Sequence, residues 1–169
     1  LLGSRGLGDV YKRQLLEDIG REGDITSKVL IPKSSLSKAT IVVKEKAVIC
    51  GTKFAKQTFK KLDKSVKIRI LKKDGELANK GDKIITISGK TQSILSAERT
   101  ALNFLGLMSG VASKAKEFSD IADPYGSKIY STRKTIPGIR KLEKYALTIG
   151  GAHINRETLD DFFFIKDNH

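Results

Sequence analysis

Apolar and polar positions along this chain switch between the period of a strand and that of a helix, and the switches outline its elements. LLEDIG, residues 15–20, reads as a short helix, followed by a turn in GREGDITS. The alternating run SKATIVVKEK and the apolar AVICG read as strands. GTKFAKQTFKKLD then spaces Phe54, Ala55, Thr58, Phe59 and Leu62 at helical intervals. SVKIRILKK and DKIITISG are further strands, separated by turns at Asp74-Gly75 and Lys80-Gly81-Asp82. Residues 91–108 carry Ile94, Ala101, Leu105 and Met108 on one helical side and Gln92, Ser96, Arg99, Asn103 and Gly106 on the other, and SGVASKAKEFSDIAD reads as a second helix.

Beyond Pro124 the order changes. SKIYS is a short strand, Pro137 opens a helix whose buried face is Ile139, Leu142, Ala146 and Ile149, Gly150-Gly151 stops it, and DDFFFI is another strand. Strand, helix, strand is the signature of a parallel unit, the beginning of a Rossmann-like sheet or a barrel. The fold class is therefore α/β: an α+β amino-terminal domain over residues 15–110, then the first βα units of a truncated parallel β/α barrel over 111–169. Residues 1–14 show neither period and read as a foreign or disordered end. Gly3, Gly6 and Gly8 there match neither a phosphate loop nor GxGxxG.

The charge changes this picture only locally. A formal net charge of +13 suggests nucleic acid, yet the lysines are spread through every segment, with no arginine-rich arm or aromatic stacking signature. Most of them read as a solvated surface. No apolar run is long enough to cross a bilayer. The location is accordingly read as cytoplasmic; Cys50 is the lone cysteine and His153 and His169 lie far apart, so no intrachain disulfide or transition-metal site is expected. In either parallel architecture the ligand sits at the carboxyl ends of the strands. Arg133 and Lys134 follow one such end, and Lys166, Asp167 and His169 follow the next, so an anionic ligand is expected.

ERTALNFLGLMSG, TRKTIPGIRKLEKYA, GGAHINR and IKDNH, with EDIGREGDITS and KGDKIITISG upstream, resemble the quinolinate phosphoribosyltransferase family in collinear order from about Leu15 to His169. The resemblance implies transfer of a phosphoribosyl group from phosphoribosyl pyrophosphate to quinolinate with decarboxylation, giving nicotinate mononucleotide, pyrophosphate and CO2. It implies that Arg133 and Arg156 hold the quinolinate carboxylates, and that Thr132, Lys134 and Lys166 contact the substrates, with Lys134 and Lys166 as catalytic candidates. It further implies magnesium arriving with phosphoribosyl pyrophosphate, and a homodimer in which Arg99 reaches the neighbouring site. The local alternative for Arg99 is a surface pair with Glu98 or Asn103. One motif departs from the family: Asn155 precedes Arg156 where His is usual, and His153 stands two residues earlier, so both are site candidates. The resemblance covers only the first part of a family member, and the 169-residue chain alone is expected to be poorly soluble and inactive.

Two other readings are set against this one. A phosphoribosyltransferase-like protein associated with molybdate transport shares the scaffold, but the arginines of ERTALN and TRKT favour quinolinate. A biotinyl- or lipoyl-like carrier is suggested by GELANKGDKIITISG; it needs a modified lysine at a hairpin tip, and Lys80 lacks the usual setting.

Overall fold

The computed structural model describes residues 7–169. Its amino-terminal part is a mixed α/β unit in which helices cover one face of an antiparallel sheet. Strands β1 (Leu36–Val42), β3 (Lys67–Ile70) and β5 (Lys83–Lys90) form that sheet in the order β1-β5-β3. The register places Ala39 and Ile68 opposite Ile87, and Ile41 and Ile70 opposite Ile85. Alternation then sends these apolar residues to one face and Lys38, Thr40, Lys67 and Arg69 to the other, which is open. Helices α3 (Thr52–Leu62) and α4 (Thr91–Ala122) close the apolar face: Ala55 and Phe59 from one helix and Ile94, Ala97, Ala101 and Leu105 from the other pack on Ile85 and Ile87. Strands β2 (Ala47–Val48) and β4 (Leu77–Ala78) form a separate pair. Because β4 pairs with β2 and β5 with β1 and β3, the segments flanking Lys80 do not form the hairpin that a carrier lysine would occupy.

Three expectations are corrected here. Residues 7–14 are not a disordered end: helix α1 runs from Leu7 to Ile19, burying Val10 and Leu15. Residues 1–6 of the expected end lie outside the described residues. The expected turn in GREGDITS contains the start of α2 (Ile25–Leu30), whose N-cap is Asp24, with the Ser27 N–H donating to its carboxylate at 2.9 Å. The polar stripe of α4 explains the placement of α2, since Gln92 donates to the Ile31 carbonyl at 2.6 Å and Ser96 to Asp24 at 3.1 Å. Finally, the two helices expected from residue 91 onward are one helix of 32 residues that runs through residue 110. Gly106 and Gly110 lie within it without breaking its ladder, since a helical glycine costs only propensity, about 1 kcal/mol each relative to alanine.

Helix α4 therefore belongs to two cores. Further along it, Phe104, Met108 and Ala112 pack with Phe54 of α3 and with Leu142 and Ala146 of α5 (Arg140–Ile149). Pro137 lies before α5 rather than inside its first turn, and a turn at 137–138 intervenes. The helix ends at Gly150 as expected, but for packing reasons. A Cβ on Gly150 would stand 2.2 Å from the Ala112 carbonyl oxygen and 2.6 Å from the Ala115 Cβ. Backbone cannot yield as a flexible side chain would, so Gly150→Ala is expected to destabilise the chain by about 3 kcal/mol. A urea midpoint equal to that of the parent chain would show that the α4–α5 crossing is not close.

Candidate functional site

The site begins with a short parallel pairing. Tyr130 bridges His153, with the His153 N–H donating to the Ile129 carbonyl and the Ser131 N–H to the His153 carbonyl, both at 2.8 Å. Helix α5 makes the crossover between the two segments. The second parallel segment is thus at His153, not in DDFFFI, which forms bends and irregular chain. There the Asp161 carboxylate accepts from the backbone N–H groups of Glu157 at 2.6 Å and Thr158 at 3.2 Å and from the Thr158 hydroxyl, folding the segment back as a turn. These bonds hold the Asp161 carboxyl below its ordinary value. The shift of strand position has a direct result: Arg156 follows the carboxyl end of one paired segment, as Arg133 follows the other.

Both ends open on a cleft of about 480 Å³ lined by Ser131, Thr132, Arg133, Lys134, Asn155, Arg156, Phe164 and Lys166. The Thr132 hydroxyl accepts the Lys134 N–H at 3.1 Å, setting the turn that leaves the strand end. Arg133 is half-buried, and its Nε is enclosed without an acceptor among the described residues. The Phe164 ring contacts two cations: the Arg156 guanidinium carbon is 4.7 Å and the Lys166 Nζ 5.7 Å from its centroid. The ion pairs among the described residues are Lys72–Asp82, Lys114–Glu117 and Lys116–Asp120, and none involves a cleft cation. Four cations left unpaired around one concavity raise the local concentration of anions, and the arginine forks suit carboxylates.

Other expected site residues lie apart. His153 is outside the cleft, exposed, with its ring 5.5 Å from that of Tyr130. Asn155 lines the cleft, and its N–H donates to the Ser131 hydroxyl at 3.3 Å. Arg99 is exposed on α4, away from the cleft and not ion-paired with Glu98. His169 accepts the Lys166 N–H through Nδ1 at 3.2 Å. Magnesium prefers oxygen ligands. The cleft instead presents ammonium and guanidinium groups, and the described residues contain no group of three His, Cys, Asp or Glu that could hold a metal. The described residues therefore offer no metal cage of their own for magnesium.

Sequence reasoning overlooked Phe164, Ser131 and Lys144. The last is only 1% exposed, although it lies on the side of α5 away from Leu142 and Ala146. Helix α5 is covered on two sides, by α4 on one and by the paired segments on the other. The Lys144 ammonium donates to the Ser131 hydroxyl at 3.0 Å and to the Arg156 carbonyl at 2.9 Å.

Two segments paired in parallel through a single bridge and connected by α5, with cations at their shared mouth, stand beside a helix-covered antiparallel sheet, and this places the chain in the α/β class with a cleft that attracts anions. Comparison with known proteins narrows the class. The family pattern for the quinolinate phosphoribosyl transferase N-terminal domain matches residues 24–109, and that for the C-terminal domain matches residues 111–169. The chain belongs to the quinolinate phosphoribosyl transferase family. It is 41% identical over 163 residues to quinolinate phosphoribosyltransferase [decarboxylating] 2b, mitochondrial, of Nicotiana tabacum, covering 96% of this chain and 46% of that protein. It is also 41% identical over 154 residues to the probable nicotinate-nucleotide pyrophosphorylase [carboxylating] of Bacillus subtilis, covering 91% and 53%. The structure of nicotinate-nucleotide pyrophosphorylase from Francisella tularensis superimposes with a TM-score of 0.94 at 34% identity, over all of this chain and 60% of that one. The chain thus spans about half the length of the curated relatives it matches. No helix among the described residues is long and apolar enough to cross a membrane.

Proposed function

We propose that this chain carries the quinolinate-binding part of a decarboxylating phosphoribosyl transfer that serves NAD synthesis. The observation that carries the reading is the convergence of Arg133, Lys134, Arg156 and Lys166 on one cleft without ion-pair partners among the described residues. Arg133 and Arg156 grip the two carboxylates as forks, while Lys134 and Lys166 meet phosphoribosyl pyrophosphate as point charges. As the bond from the ribosyl carbon to pyrophosphate breaks, the pyridine nitrogen bonds to that carbon. The adjacent carboxylate then leaves as CO2, and its electron pair stays on the ring carbon until a proton arrives. The cations stabilise the anionic leaving group and the developing carbanion by position alone, so no side-chain nucleophile is needed.

Arg99, exposed on α4, is assigned to the cleft of a second copy in a homodimer, and we place the protein in the cytoplasm, where its lone thiol stays reduced. The names of the Nicotiana and Arabidopsis relatives specify mitochondria and chloroplasts for those proteins. The test is calorimetric titration of quinolinate and of benzoate into this chain. Saturable binding of quinolinate at low salt, weakened by added salt and absent with benzoate, is the expected result. Equal binding of both would remove the dicarboxylate site.

A further inference from the structure

We infer that Lys144 is a positioning residue: it clamps the carboxyl ends of the two parallel segments together and thereby sets the spacing of Arg133 and Arg156. The backbone pairing stops at the Ser131 N–H and the His153 carbonyl. Beyond it the chains are joined through side chains. The Ser131 hydroxyl receives both the Lys144 ammonium and the Asn155 N–H, and the same ammonium reaches across to the Arg156 carbonyl. Ser131 stands two residues before Arg133, so a bond at its hydroxyl fixes one arginine's strand end, and the bond at the Arg156 carbonyl fixes the other's.

The choice of lysine needs a reason beyond filling space. A buried ammonium without a hydrogen-bonded carboxylate is costly, and an apolar side chain of similar volume serves a purely structural role at least as well. Burial draws the Lys144 ammonium below its ordinary value; nearby Glu157 opposes this, Arg140 reinforces it, Asp161 opposes it and Arg133 reinforces it. An anion bound among the cleft cations favours the protonated clamp. Its affinity therefore falls as pH rises through the lowered Lys144 value. The clamp itself stands on the geometry, and its effect on ligand affinity rests on the quinolinate reading.

Three variants, Lys144→Met, Lys144→Arg and Ser131→Ala, separate the possibilities when backbone amide exchange at Ser131 and Asn155 is measured beside quinolinate affinity. Lys144→Met is expected to keep its helical circular dichroism, to speed exchange at both amides about tenfold and to weaken quinolinate about tenfold, as loss of one charged hydrogen bond at each segment would. It is also expected to lose the alkaline fall in affinity, and Lys144→Arg, which keeps charge and donors, to recover part of the protection. If Lys144→Met does not fold, Ser131→Ala, which removes one acceptor, is expected to speed exchange at Asn155. Parental exchange rates in whichever of these variants folds overturn the clamp, even if ligand affinity drops. Faster exchange in a chain whose parent binds no quinolinate supports the clamp and instead removes the quinolinate reading.

Discussion

Arg133→Ala is expected to reduce quinolinate affinity by about 2 to 5 kcal/mol, roughly 30- to 5,000-fold. The size follows from where this cation stands. Lys134 and Lys166 are exposed, so water and salt screen their attraction for an anion. Arg133 is half-buried with its Nε enclosed and without an acceptor among the described residues, so a bound carboxylate supplies a partner that the protein itself does not. Arg133→Lys keeps the charge but loses the fork and is expected to fall between parent and Ala variant. Calorimetry at fixed ionic strength measures both. An Ala variant with parental affinity and an unchanged circular dichroism spectrum would remove Arg133 from the site.

The same residue shows what the sequence discloses and where it stops. TRKT announces two cations after an extended segment, since SKIYS, expected as a strand, forms a single bridge at Tyr130, and the amphipathic face of α5 gives the helix that follows. Leu142 and Ala146 are fully buried, with Ile139 and Ile149 packed beside them, as their spacing requires. The apolar stripe of α4 was legible for the same reason, but not that its two expected helices run on as one. Arg156 was harder to place. Its paired segment consists of a single bridge at His153, too short to produce alternation, whereas the four apolar residues of FFFI imitate a buried strand. Phe163 is fully exposed, and Phe164 lines the cleft in contact with Arg156 and Lys166. With the strand assigned to FFFI, Arg156 would lie at the wrong end of the unit; with it at His153, both arginines share one mouth. Lys144 escaped notice because a lysine opposite an apolar helical stripe ordinarily meets solvent. Only tertiary packing reveals that this side of α5 is also covered.

Packing of α5 also depends on a residue far from the cleft in sequence, and Asp74→Ala is expected to destabilise the chain by about 2.5 to 4 kcal/mol. The Asp74 carboxylate accepts from the Gly51 N–H at 3.1 Å, the Thr52 N–H at 3.0 Å, the Thr52 hydroxyl at 2.6 Å and the Tyr145 hydroxyl at 2.9 Å. It thereby caps α3, whose own N-cap is Gly51, a residue with φ 95° and no side chain to accept those donors. It also ties α5 to the turn before β4. Loss of the cap costs about 1 kcal/mol, and the bonds from Thr52 and Tyr145 to a charged acceptor add about 1.5 to 3 kcal/mol. Tyr145→Phe leaves the cap intact and is expected to lose the smaller share. Combined with Asp74→Ala it should add little, because both changes remove the same bond. A second readout distinguishes this network from general loosening. Burial, and then the Asp74 charge, push Tyr145 above its ordinary value, and burial followed by the same charge raises the Cys50 thiol to about 12. Both groups therefore hold their protons more tightly folded than unfolded, so stability is retained below their ordinary values and declines at alkaline pH. In Asp74→Ala, Tyr145 and Cys50 should ionise at lower pH than in the parent. A variant with the parental urea midpoint and unchanged tyrosine titration would show that α5 is held by apolar packing alone.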